Sequence, residues 1–365
     1  MNRIWQGVAR LMWLLALPLS LAHGVAAASD AAHTPAMQAP QAQRAVLLDL
    51  ARAGARLVAV GERGIVLLSD DNGLSWRQAA VPVSISLTAV QFVSADTGWA
   101  VGHAGVILAT RDGGEHWTVQ LHGLQAAQTE LASAQQQLNG AADQDSASAR
   151  VQAAERLVGD GADKPFLALH FLDEQRGLVV GAYGLAFSTE DGGATWQSLI
   201  GQIDNPAGAH LSAIEQRGAQ WFLAGEQGFL ARSDDAGRSF QALESPYPGS
   251  FFTLQMRDDG VLLVAGLKGN AFISSDLGQT FETLPVTTPV SFSDAIRTRD
   301  GQLLLVNQSG ALFRTATQPG ARLQPYGKPL GKPVSSLIEA ADGSLTLAGF
   351  TGLTRVSPPL ATASE

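Results

Sequence analysis

Residues 58–76 read VAVGERGIVLLSDDNGLSW, and residues 99–117 read WAVGHAGVILATRDGGEHW. Aligned without a gap, both carry Gly-x-x-Gly, a short apolar run, and then Ser/Thr-x-Asp-x-Gly-x-x-Trp. The same order recurs in VVGAYGLAFSTEDGGATW (179–196), LAGEQGFLARSDDAGRSF (223–240) and VAGLKGNAFISSDLGQTF (264–281), and more weakly in VNQSGALFRTATQPGARL (306–323) and LAGFTGLTRVSPPL (347–360). The leading residues Gly61, Gly102, Gly181, Gly225, Gly266, Asn307 and Gly349 are 41, 79, 44, 41, 41 and 42 residues apart. A period near 41 with one long interval means seven copies and one insertion.

Within a copy, runs such as LTAVQF (87–92) and GVILAT (105–110) are short and apolar-rich with strand character, and four strands fit each copy. Gly-x-x-Gly reads as a tight hairpin turn in which glycine tolerates positive φ. A four-stranded antiparallel sheet repeated seven times buries both faces only against its neighbours. The expected fold is therefore all-β, a seven-bladed β-propeller over residues 44–360.

Five copies place an acid and an aromatic in register: Asp71 and Trp76, Asp112 and Trp117, Asp191 and Trp196, Asp235 and Phe240, Asp276 and Phe281. Each Asp is expected to accept backbone N–H bonds inside the hairpin between the third and fourth strands. Each aromatic is expected to wedge between blades. One acid in each separate turn gives no convergent cluster, so these are structural residues, not calcium ligands or catalytic carboxylates. The sixth and seventh copies lose the pattern: Thr315 is followed by Thr317 and Pro319, and Ser357 by Pro359. The seventh copy also ends before a fourth strand. The polar tether 29–43 is expected to supply it near Thr34–Gln41, as an edge strand that Pro35 and Pro40 permit.

Residues 1–28 read as a cleavable signal peptide, with Arg3 and Arg10, the apolar run LMWLLALPLSLA (11–22) and Ala26–Ala28. The run is shorter than the ~20 residues of a membrane span. Its removal takes the net charge from −9 to −11. The expected location is the periplasm, without membrane insertion after cleavage. A chain without cysteine suits an oxidising compartment and excludes disulfides, thiolate zinc sites, a cysteine nucleophile and a lipoprotein anchor. The acidic balance argues against nucleic acid as a partner. A monomer without cofactor or metal is expected.

Residues 121–163 form the insertion, between copies two and three. LQAAQTELASAQQQL (124–138) spaces Leu124, Leu131 and Leu138 by seven, and SASARVQAAERLV (146–158) carries Val151, Leu157 and Val158. Both segments are rich in helix formers, which predicts a helical hairpin. It is either a loop decoration or a docking element.

In a four-stranded blade the hairpin between strands two and three shares a face with the inter-blade connections, and the acid-bearing turns lie opposite. The variable residues of Gly-x-x-Gly are therefore the candidate partner-binding rim: Arg63, His103, Tyr183, Glu226, Lys268, Gln308 and Phe350. The connections 206–210, 245–252 and 286–292 join them. This mixture of aromatic, basic and amide side chains suits a recognition surface. Enzyme signatures are missing from the sequence. There is no Gly-x-Ser-x-Gly elbow, no Walker loop and no His-Glu-x-x-His. His103, His116, His122, His170 and His210 are scattered. A glycosidase needs two facing carboxylates, and only Glu62 and Glu226 on the rim offer themselves.

The Ser/Thr-x-Asp-x-Gly-x-x-aromatic signature is the Asp box of BNR repeats. The whole unit, best carried by GERGIVLLSDDNGLSW and GHAGVILATRDGGEHW, resembles the photosystem II stability/assembly-factor-like family of BNR propellers over roughly 45–357. The resemblance implies a seven-bladed, non-enzymatic scaffold that holds membrane-protein intermediates through a basic patch. This chain is acidic, shows no arginine cluster in sequence and carries the insertion. What is carried over is scaffold-type binding of an envelope protein or membrane complex, an exporter-type transporter first among them. The alternative is a carbohydrate-active, sialidase-like propeller.

Overall fold

The computed structural model describes residues 31–315 and 322–357. The expected signal peptide, and Thr317, Pro319 and Pro359, lie outside the described residues. Among the described residues seven antiparallel sheets follow one another along the chain, six with four strands and the last with three. The first blade is Leu47–Ala53, Arg56–Gly61, Val66–Ser69 and Arg77–Gln78. The first strand of every blade lines the axis. These inner strands are Leu47–Ala53, Leu87–Phe92, Phe166–Phe171, Leu211–Arg217, Phe251–Met256, Phe292–Arg297 and Ser336–Glu339.

The core is divided among the seams between blades. Val58, Val60 and Leu68 of blade 1 pack with Ala100, Leu108 and Trp117 of blade 2. Equivalent clusters occupy each following seam and the closing seam between blades 7 and 1. The box aromatic always reaches back to the preceding blade: Trp117 towards blade 1, Trp196 towards blade 2, Phe240 towards blade 3. Trp99 stacks on Phe171 across a seam at 3.6 Å. Each large side chain buried in this way stabilises by roughly 1.5–3 kcal/mol, which a lone blade would forgo.

The two glycines of the Gly-x-x-Gly turn have different tasks. Gly61 is extended, with φ −169°. It must be glycine because a Cβ there would collide with the carbonyl oxygen of Val46, just before the inner strand of its own blade. The expected positive φ falls on Gly64, at 73°, and also on the residue before it, Arg63, at 54°. Tyr183, Gln227 and Lys268 repeat this conformation at 56°, 55° and 56°. Asn307 replaces the first glycine in blade 6, and its Oδ1 accepts from the amides of Ser309 and Ala311.

The ring closes without a shared strand among the described residues. Leu47 N donates to Gly349 O at 3.2 Å, and Ser335 Oγ donates to Leu47 O at 2.7 Å. At the outer edge, Arg355 Nε donates to Asn72 O and Ala341 N to Asn72 Oδ1. The tether takes a different course from the one expected. Ala36 N donates to Val81 O, and Gln38 Nε2 to Ala79 O, so it runs along the outer edge of blade 1. It then crosses to blade 7, where Gln43 O accepts from Leu353 N and Ala42 is buried in the closing seam. The tether is a clasp over the seam, and the last sheet keeps its three described strands.

The insertion is a helical hairpin, Gly123–Leu138 and Gln144–Asp160. Its packing face is not the leucine stripe. Ala126, Ala127, Glu130 and Ala134 are buried, while Leu124 is exposed. Small side chains let the helix lie close to the outer strand of blade 3, Gln197–Ser198. There the Ser198 hydroxyl donates to Glu130, whose carboxylate also receives Arg150 from the second helix at 2.9 and 2.8 Å.

Candidate functional site

The two faces of the wheel differ in chemistry. On the face of the Gly-x-x-Gly turns, inner-strand residues Leu48 and Phe252 meet Pro333 and Val334 at the mouth of the central channel. With Ser293, Ser335, Gln308 and Phe350 they bound a largely apolar cavity of about 480 Å³. Phe350 is 61% exposed, an unusual position for a phenyl ring. Two of the sequence-predicted rim residues, Gln308 and Phe350, are thus brought together. Tyr183 and Glu226 form a second group through His210. The Tyr183 ring, 61% exposed, lies 4.7 Å from the His210 ring, and Lys164 Nζ sits 5.2 Å over it. Glu226 Oε1 accepts from His210 N at 3.0 Å, so this acid caps an inner strand. Arg63, His103 and Lys268 are exposed on the same face and outside both groups.

Below the mouth the channel continues into a cavity of about 420 Å³ that shares Leu48, Phe252, Ser293 and Ser335 with the apolar one. Pairing with the second strands puts Asp49, Ala89, Ala168, Ala213, Thr253, Asp294 and Ser336 at one level of the axis. Asp49 Oδ2 accepts from Val90 N of blade 2, and Asp294 Oδ2 from Leu337 N of blade 7. The Ser336 hydroxyl bonds Asp49 Oδ1 at 2.9 Å. Enclosure by protein pushes the Asp49 carboxyl up to about 6. Enclosure and the neighbouring Asp49 push Asp294 up to about 7. One level further down, burial raises Glu215 to about 8 and lowers His170 to about 4.

The opposite mouth is basic. Arg52, Arg297 and Arg299 line a cavity of about 350 Å³ with Asp258 and Glu339. Arg217 and Arg297 share Asp258. No arginine run exists in the sequence, and the fold assembles this cluster from the ends of separate inner strands. Only the register of those strands could have revealed it.

The Asp boxes sit on this second face, and each is closed within its own turn. Asp71 Oδ1 accepts from the amides of Leu74 and Ser75 and from the Ser69 hydroxyl, and Oδ2 from the Ser75 hydroxyl. Trp76 Nε1 donates to Gly73 O. Asp112, Asp191, Asp235 and Asp276 repeat the pattern. The hydroxyl and amide of Ser75 hold Asp71 down at about 2, and Thr195 and Thr280 do the same for Asp191 and Asp276. Among the described residues no group of three or more His, Asp or Glu is placed to hold a metal ion.

A closed wheel of seven blades with an Asp box in five of them is a BNR-type β-propeller. The family described as photosynthesis system II assembly factor YCF48 matches residues 69–140 and 151–352, and the chain belongs to that family. It is 31% identical over 174 residues to the photosystem II assembly protein Ycf48 of Synechococcus sp. (strain JA-2-3B'a(2-13)), a match covering 40% of this chain and 49% of that protein. It is 29% identical over 85 residues to the photosystem II assembly lipoprotein Ycf48 of Synechococcus sp. (strain CC9902), covering 23% and 26%. The chain thus spans about half or less of the curated relatives it matches. Among solved structures, YCF48 bound to D1 peptide superposes with a TM-score of 0.63 at 16% identity, over 88% of this chain and 96% of that one. YCF48 from Cyanidioschyzon merolae gives 0.61 at 15%, over 89% and 99%. At that identity the likeness is one of fold.

Proposed function

We propose that this chain is an exported, non-catalytic assembly or accessory factor that holds a segment of a membrane-protein client on its Gly-x-x-Gly face. The observation that carries the reading is the apolar cavity at the channel mouth, with Phe350 exposed at its edge. Family membership supports an assembly role, and a YCF48 structure with a bound D1 peptide supports a peptide as the thing held. The signal-like residues 1–28 favour the periplasm, and an envelope complex such as an exporter-type transporter is the client to test first.

Hydrolysis of a glycoside is the weaker reading. It asks for two carboxyl groups free to face one bond. Asp49 and Asp294 come nearest, but their oxygens already accept from Leu50, Val90, Ala295 and Leu337 amides. They pin neighbouring inner strands together.

The test is affinity capture from envelope membranes by the exported chain, by Phe350→Ala and by a chain lacking 121–163. Capture of one membrane protein, lost in Phe350→Ala at unchanged melting temperature, is expected. Capture indifferent to Phe350 contradicts the reading.

A further inference from the structure

Phe350 stands over an axis whose next level is acidic. The apolar cavity and the channel cavity are continuous through Leu48, Phe252, Ser293 and Ser335. Of the residues lining the channel cavity, Asp49, Asp294 and Glu215 are acids, His170 is the one base, and none is Lys or Arg. At the level of Asp49 and Asp294, the facing blades present Ala89, Ala168 and Ala213. Opposite the two carboxyls that level carries no charged side chain, and the apolar mouth lies above it.

A lysine or arginine side chain has the matching form, an aliphatic stem ending in a cation. Each carboxylate oxygen can accept two hydrogen bonds. Asp49 accepts from Leu50 N, Val90 N and Ser336 Oγ, which leaves capacity, and both aspartates line the channel cavity. We infer that the mouth takes an extended client segment in which an apolar side chain seats beside Phe350 and an adjacent lysine or arginine reaches down the axis to Asp49 and Asp294. The inference rests on the proposed client-holding role and adds the chemistry of the segment held.

A cation at that level favours the ionised carboxyls, so binding releases protons and tightens as pH rises from 6 to 8. The groups facing Asp49 are Asp294 and Ser336, with Glu215 and His170 one level below. Arg217 and Arg297 act on Glu215 from the far mouth.

The experiment is fluorescence anisotropy with the exported chain and three labelled peptides: Gly-Phe-Lys-Gly-Phe-Lys-Gly, the same with glutamine for both lysines, and the same with glutamate. The lysine peptide is expected to bind roughly tenfold tighter than the glutamine peptide, the scale of a desolvated charge contact. The preference should grow with pH, and should vanish in Asp294→Asn and in Asp49→Asn combined with Asp294→Asn. If the double variant does not fold, the single variant and the pH series decide. Equal affinity for the lysine and glutamine peptides, a preference for glutamate, or no binding of any of them overturns the inference. Client capture that depends on Phe350 without a lysine preference would overturn this inference alone and leave the client-holding role standing.

Discussion

Asp49 and Asp294, on the inner strands of blades 1 and 6, face each other across the Ser336 hydroxyl of blade 7. The same two carboxyls accept amides of blades 2 and 7, so the ring closes around a like-charged pair. Retaining a proton on this pair removes the repulsion.

That arrangement sets a pH dependence. The folded pKa values of about 6, 7 and 8 for Asp49, Asp294 and Glu215 lie above their ordinary 3.8, 3.8 and 4.5. The folded protein therefore binds more protons than the unfolded chain, and stability falls as pH rises. His170, lowered to about 4, opposes this below its ordinary 6.5. That opposition fades above pH 6.5, and between pH 6.5 and 8.5 the melting temperature should drop. Asp294→Asn should flatten the slope. Thermal unfolding followed by circular dichroism checks it, and a melting temperature that climbs across the window would refute it.

At the acid end the sign reverses. Asp71, Asp191 and Asp276 are held at about 2 by hydroxyl and amide donors of their own turns, below the ordinary 3.8. Their contribution is complete above about pH 4 and is lost as pH falls towards 2. Replacing all three by Asn should lower the melting temperature at pH 6 and blunt its further loss between pH 4 and 2. Unaltered acid sensitivity would mean that the boxes do not govern that limb.

The seam aromatics should matter more than any single turn. Trp117 is 4% exposed and Phe240 fully buried. Truncating either to Ala leaves a cavity between blades and should cost about 3–5 kcal/mol. Urea unfolding measures this, and a loss below about 1 kcal/mol would show that the blades do not depend on their neighbours.

Glu130 joins the insertion to blade 3. It is 3% exposed and is held by Arg150 and Ser198. Glu130→Ala leaves Arg150 half-buried without that partner, so undocking of the hairpin should become easier by roughly 3–5 kcal/mol. Hydrogen exchange should rise across 123–160 and along 197–198, with the other blades unchanged. Unchanged protection of the hairpin would refute this docking role of Glu130.

The repeat, the seven blades and the Asp-box turns could be read from residue spacing, because each is a local pattern that recurs in register. The insertion was legible as two helices. Its packing face was not legible, because the side chains it buries are the small Ala126, Ala127 and Ala134 with Glu130, and not the evenly spaced leucines. The rim residues could be named from the spacing of the turns, yet their grouping was not visible. Phe350 and Gln308 meet because blades 6 and 7 are neighbours and Pro333 lies between them. The Asp49–Asp294 pair and the arginines of the far mouth come from inner strands nearly 250 residues apart, so only ring closure brings them together. The tether offered a strand-like length but too few free amides, with Pro35 and Pro40 in it, and it became a clasp.

The most direct test of the client-holding account is photo-crosslinking in the intact envelope. A photoreactive benzoylphenylalanine replaces either Gln308, at the apolar cavity, or Leu74, which is 71% exposed in an Asp-box turn on the opposite face. The account predicts one membrane-protein adduct from position 308 and none from 74. An adduct from 74 alone, or equal adducts from both, would contradict it.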